Sequence, residues 1–313
     1  MNPPASLYEA IVRGFAGTGD IQGRRALFLF VIDHSEAMQR TFPETGRSRL
    51  SSVIDTLNEM KQEMHRVDDG DHLDLGFLGY PLENASSQTG PMWTGDDPTT
   101  IVRPVSSADT LRERAALPLV NGACTEALAA AASCVAAWRG RNRQPIFEPI
   151  VIHVLPAERA EVSGVALAAR RITDDAGALL FHCCFDENCR GNVVIPASGS
   201  VPAGIARQLY DLTSDMPEVI RDVAELLQGR MPSRFRQAVE EMAADHGIPT
   251  GLASMGVDLL GRAMGDGLRL PTGRPGWTQR VSARVEGLTI EGRKGFALLK
   301  GMVGFRIVTK LLN

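Results

Sequence analysis

The chain has 313 residues, of which 44% are hydrophobic and 22% charged. Those values exclude global disorder, a collagen-like repeat and a disulfide scaffold, and they suffice for a full core. The net charge of −4 divides unevenly: residues 1–228 carry 20 Lys+Arg against 30 Asp+Glu, and residues 229–313 carry 13 against 7. A mildly acidic body makes nucleic acid an unexpected partner, and the basic end is left for an acidic partner or an anionic membrane.

No run approaches the roughly 18 apolar residues of a membrane span. The start MNPPASLYEAIVRGF lacks an apolar signal core, so the expected location is the cytoplasm. Five scattered cysteines fit reduced thiols. The Ala- and Gly-rich composition fits a bacterial source.

In chain order, residues 1–23 read as an N-terminal helical arm, with an amphipathic helix from Leu7 to Phe15. The apolar run Ala26 to Ile32, ending on Asp33, reads as a strand buried on both faces. Ser48 to Val67 is predicted as a helix, with Leu50, Val53, Ile54, Leu57, Met60 and Met64 at helical spacing. LDLGFLGY (73–80) is a second strand, 84–100 a polar loop, and IVRPV (101–105) a short edge strand. Helices are expected over 108–116 and, rich in small residues, over 125–138. PIVIHVL (149–155) and ALLFHCCF (178–185) are buried strands around a helix at 163–176, and further helices follow within 201–212 and 217–228. The alternation predicts an α/β fold with a mainly parallel, doubly wound, Rossmann-like sheet and helices on both faces. From Gly229 the texture changes to a smaller, basic, helical or irregular C-terminal region with a hairpin over 281–292.

The order of pieces over 24–228 resembles the von Willebrand factor A (VWA) domain. FLFVIDHSEAM (28–38) stands where that family has a strand ending in Asp-x-Ser-x-Ser, and GDHLDLGFLGY (70–80) is similar to its second strand. VNGACTEALAAAA (120–132) takes the place of a Gly-rich turn, a threonine and an Ala-rich helix. PIVIHVLPAE (149–158) takes the place of the strand ending in Thr-Asp-Gly. The resemblance implies a metal-ion-dependent adhesion site, where a partner's carboxylate completes the shell of a Mg²⁺ ion that prefers six oxygens. Asp33, Ser35 and Thr125 match its first carboxylate, first hydroxyl and loop threonine. Ala37 and Ala157 stand where further ligands belong, with Glu158 one residue off. The expectation is therefore a degenerate site in which Asp33 and Ser35 satisfy loop amides and Thr125 caps its helix. No cofactor is expected, and any Mg²⁺ is held weakly.

HCCFDENC (182–189) is the one His/Cys cluster. Adjacent strand cysteines point to opposite faces, so buried free thiols are expected rather than a zinc site. Asp33-His34-Ser35 cannot form a relay, and no nucleophile elbow or phosphate loop is present. The functional expectation is a non-catalytic adaptor or regulator binding a partner protein through the loops at His34, Asn121 and Glu158. A competing reading takes IEGR (290–293) as a protease site that releases, after Arg293, a basic apolar tail (294–313) able to lie on a membrane. A hydrolytic enzyme is the third class.

Overall fold

The computed structural model describes residues 23–227, apart from breaks at 43–45, 68–71, 82–88, 95–99, 114–116, 119–121, 158–163 and 190, together with 236–237, 241 and 292–312. The expected N-terminal helix, the expected hairpin up to residue 291, Asn121 and Glu158 lie outside the described residues.

The elements are β1 (Ala26–Asp33), α1 (Arg49–Val67), β2 (Leu73–Tyr80), β3 (Gly90–Pro91), β4 (Val102–Pro104), α2 (Ala123–Arg141), β5 (Ile150–Pro156), α3 (Val165–Arg170), β6 (Leu179–Phe185), β7 (Val193–Val194), α4 (Ile205–Leu212), α5 (Glu218–Leu227), β8 (Phe296–Leu299) and α6 (Met302–Leu312). They build one eight-stranded sheet in the order β3-β2-β1-β5-β6-β8-β7, with β4 also on β2. The five inner strands are parallel, and the short β3, β4 and β7 run antiparallel. The expected mostly parallel, doubly wound architecture is therefore present.

Period-two alternation sorts the strand residues between two cores. Phe28, Phe30 and Ile32 of β1 pack with Leu50, Val53, Ile54, Leu57, Met60 and Met64 of α1, and with Ile220 of α5 and Phe305 of α6. Leu27, Leu29 and Val31 face α2, α3 and α4 through Ala127, Leu128, Ala131, Val135, Val165 and Leu209. The small residues of α2 let that helix lie close on the sheet. Within this second layer Trp138 Nε1 donates to Asp74 Oδ2 at 2.7 Å, and Arg25 Nη2 holds Asp74 Oδ1 at 2.7 Å. A carboxylate at the buried end of β2 is thus paired rather than left to desolvation.

Two sequence expectations are corrected. Residues 108–113 are not helical. Their backbone is claimed by distant partners: Leu111 N donates to Asn58 Oδ1 at 2.8 Å, and Arg112 N to the Met92 carbonyl at 3.1 Å. These bonds replace the i→i−4 ladder a helix would need.

The second correction concerns the C-terminus, which is not a separate region over 292–312. β8 enters the sheet between β6 and β7 with all four residues buried. Phe296–Leu299 pair in parallel with His182–Phe185. α6 then packs beside α1, with Met302 and Phe305 in the core. The glycines that weaken this segment as an isolated helix are packing residues instead. A Cβ on Gly295 would sit 2.2 Å from the Phe181 ring, and one on Gly304 2.6 Å from Asn192 Oδ1. Gly295→Ala is accordingly expected to lower stability by about 2–3 kcal/mol, because a buried ring must leave its place. A shift of the urea midpoint to lower concentration with unchanged slope checks it.

Candidate functional site

The chain leaves β1 beside the topological switch point, where β2 lies on one side of β1 and β5 on the other. Asp33 ends the strand, fully buried, and its Oδ1 accepts the Ser35 amide at 2.6 Å. This is an Asx turn, the local bond that short polar side chains make when the backbone must bend. The turn is braced from outside. Ser35 forms a parallel bridge with Leu117, through Glu36 N to the Leu117 carbonyl at 3.2 Å and Leu117 N to the His34 carbonyl at 3.3 Å. The loop after β1 and the chain approaching α2 are therefore one rigid frame.

Asp33 satisfies a loop amide, that of Ser35, but the Ser35 side chain does not: its buried hydroxyl has no hydrogen-bond partner among the described residues. Thr125 is half-buried in the first turn of α2, beside Gly164. It is not the helix cap: Gly122, in the left-handed region at φ 84°, holds that position. His34 cannot serve as a partner contact in this conformation. It is fully buried, with Nε2 3.3 Å from Met92 Sδ, against Gly79. The described residues exposed near this end of the sheet include Glu36, Arg40, Pro118, Glu187 and Asn188.

The donor set suits a divalent cation poorly. Asp33 spends one oxygen on the Ser35 amide, and Ala37 brings no side-chain oxygen. The Ala37 carbonyl instead accepts from Arg49 Nη1 at 3.4 Å, placing a cationic guanidinium beside the turn. Arg49 is itself buried, ion-paired to Glu187 and set over the Phe42 ring. It ties the loop after β1 to the loop after β6. Among the described residues no group of three His, Cys, Asp or Glu could hold a metal ion, and no helix is long and apolar enough to cross a membrane.

Neither a protein-family model nor a curated protein matches this chain. The site has to be read from its own geometry.

Arg293 is a poor protease site in this fold. Its side chain is exposed, but its carbonyl accepts Met216 N at 2.6 Å and Lys294 bridges Asp215. Gly292 N and Gly295 N donate to Ile195 and Ser214 carbonyls, both at or below 3.0 Å. A protease needs these same backbone groups in an extended, accessible strand, so cutting here requires prior local unfolding.

A second polar constellation was not anticipated. Beneath α2, on the same face as Asp33, Tyr80 Oη lies 2.5 Å from His153 Nε2, and Cys124 Sγ lies 3.8 Å from that nitrogen. His153 stands beside His182 in register on β6, with ring centroids 5.3 Å apart. His182 Nδ1 is 2.9 Å from Thr213 Oγ1, whose hydroxyl donates to the Leu209 carbonyl at 2.8 Å. One hydroxyl proton can be given once, so His182 Nδ1 carries the hydrogen and its Nε2 is a lone pair. That nitrogen is buried with no hydrogen-bond partner among the described residues. Burial, helped by the charge of Lys294, drives the His182 pKa down to about 3. The sequence offered one signal for this cluster, a histidine in the middle of each of two buried apolar strands.

Cys183 and Cys184 face opposite cores, as adjacent strand residues must. Burial pushes the Cys183 thiol up to about 12, and Cys184 well above the ordinary thiol value.

Proposed function

We propose that this chain is a VWA-like, non-catalytic protein-interaction module that engages its partner through the strand-end loops around Asp33. The observation that carries the reading is the braced frame: the Asp33–Ser35 turn is locked to Leu117 by two backbone bonds and to the β6–β7 loop by Arg49 and Glu187. A rigid set of loops at a switch point is a surface prepared in advance, and preorganisation reduces the ordering entropy that binding costs. The doubly wound sheet with Asp33 at the end of its central strand is what the resemblance to the family implies.

The contact set is revised from buried His34 to exposed Glu36, Arg40, Pro118 and Glu187. The partner is held by shape and hydrogen bonds, without a cation, because Arg49 brings positive charge to the Ala37 carbonyl where a ligand would belong. The tail-release alternative is disfavoured by β8, which is part of the sheet it would have to leave.

Affinity capture from the native host, run in parallel with wild type, wild type in EDTA, and Glu36→Arg/Pro118→Asp, tests the reading. A partner retained in EDTA and lost with the loop variant supports it. A partner lost in EDTA and recovered with Mg²⁺ removes the cation-free mode, and one indifferent to the loop variant removes this face.

A further inference from the structure

We propose that Cys124 is the reactive thiol of this protein, a site where a hydroperoxide forms a sulfenic acid with His153 as the proton acceptor. This goes beyond the interaction reading and does not depend on it.

Three features set Cys124 apart from the other four cysteines. It is the second residue of α2, a helix of 19 residues. The amides of the first helical turn have no intrahelical acceptor, and together with the helix dipole they favour a thiolate. Its sulfur is 3.8 Å from His153 Nε2, close enough for an imidazole to take the thiol proton and hold it as a thiolate–imidazolium pair. And the face around it carries further acceptors rather than apolar carbon alone. His182, beside His153, presents a bare Nε2 lone pair that is fully buried without a partner among the described residues. Among the described residues the titratable groups on this side of the sheet include Tyr80, His153, His182, Cys124, Cys184 and Tyr210, with Lys294 acting on His182 and Asp33 next to Tyr80 in register on β1.

Cys184 shares these surroundings but lies within β6, away from any helix start, and burial raises its pKa well above the ordinary thiol value; the remaining thiols lack all three features. Cys183 is fully buried and faces the opposite core. Burial pushes Cys134 up to about 11 against the pull of Arg141, and burial with the Asp186 charge raises Cys189. Cys189 Sγ is in addition engaged with the Asp186 carbonyl at 2.9 Å. Cys124 is 8% exposed, so a small peroxide suits it better than a bulky reagent.

The step balances as follows. The Cys124 proton passes to His153 Nε2, and the Tyr80 oxygen turns from donor to acceptor of the new N–H. The sulfur then attacks the terminal oxygen of the hydroperoxide, forming the S–O bond as the O–O bond breaks. The leaving oxygen takes the proton from His153 as water or an alcohol. Sulfur is oxidised by two electrons and the peroxide is reduced by two. Tyr80 restrains the reaction, since its hydroxyl competes with the thiol for Nε2.

The test uses the full-length protein treated with stoichiometric hydrogen peroxide, then unfolded in the sulfenic-acid trap dimedone and mapped by mass spectrometry. Cys124 is expected to carry the adduct about tenfold above Cys134 and Cys189. Its rate should inflect well below the ordinary thiol pKa of about 8.5. Tyr80→Phe is expected to speed labelling several-fold, and His153→Gln to slow it about tenfold and return the inflection to the ordinary value. Labelling that follows exposure, with Cys134 and Cys189 first, overturns the proposal. So does a wild-type Cys124 rate with an ordinary inflection, a result that stands even where His153→Gln fails to fold.

Discussion

Deleting residues 292–313 is expected to abolish cooperative folding rather than to release a dispensable tail. β8 is an interior strand of the sheet, hydrogen-bonded to β6 on one side and β7 on the other. Its loss strips both neighbours of their ladder. The segment also buries Phe296, Leu298, Leu299, Met302 and Phe305, each at most 4% exposed. At about 1.5–3 kcal/mol for each fully buried side chain, these five contribute about 8–15 kcal/mol. A whole domain has about 5–15 kcal/mol in hand. Near-UV circular dichroism and urea unfolding of a chain ending at Glu291 check the prediction. A sharp unfolding transition with native near-UV signal would mean that the sheet is complete without β8. A synthetic 292–313 peptide that restores the transition in trans would confirm the strand as the missing piece.

That same segment shows where sequence reading stops. The five interior parallel strands divide into four that announce themselves and one that does not. β1, β2, β5 and β6 are seven or eight residues long and continuously apolar or nearly so, the pattern of a strand covered on both faces. β8 has only FALL, set between glycines and followed at once by a helix. Four residues give no period, and the neighbouring basic residues suggest a surface. Gly295 and Gly304, which weaken the segment as an isolated helix, stand where Phe181 and Asn192 approach too closely for any side chain. Such a contact spans more than 100 residues of sequence and leaves no local trace. The absence of the expected helix over 108–113 has the same cause, since Asn58 on α1 binds both the amide and the carbonyl of Leu111.

The candidate site was legible in the same uneven way. An aspartate closing an apolar run, followed two residues later by serine, is a local signal, and the turn it predicts is present at 2.6 Å. Where His34 points depends on strand alternation carried one residue past the end of β1, and it turns inward against Gly79 and Met92. The Tyr80–His153–Cys124 cluster joins three elements and needs the register of β2, β1 and β5 together. No spacing in the sequence encodes that.

Acid should destabilise this protein through His182 before carboxylate titration is complete. Burial holds the folded imidazole at about 3, against 6.5 for the ordinary group. Between those values the unfolded chain binds a proton that the native chain refuses. Stability is therefore fully present above pH 6.5 and is lost as pH falls toward 3, at about 1.4 kcal/mol per unit from this one group. By pH 4.5 the loss is on the order of 3 kcal/mol. The proton has no good place to go in the fold. Nδ1 already gives its hydrogen to Thr213, and Nε2 is enclosed with no acceptor among the described residues. Lys294 adds a like charge held nearby, its Nζ donating to the Thr213 carbonyl at 2.7 Å. The double substitution His182→Leu/Thr213→Val removes the titrating ring and the hydroxyl it would leave behind. Its unfolding free energy, measured in urea from pH 7 to pH 4.5, should fall by about 3 kcal/mol less than that of wild type over the same interval. Parallel pH profiles for the two proteins would place the acid-sensitive group elsewhere and refute the assignment to His182.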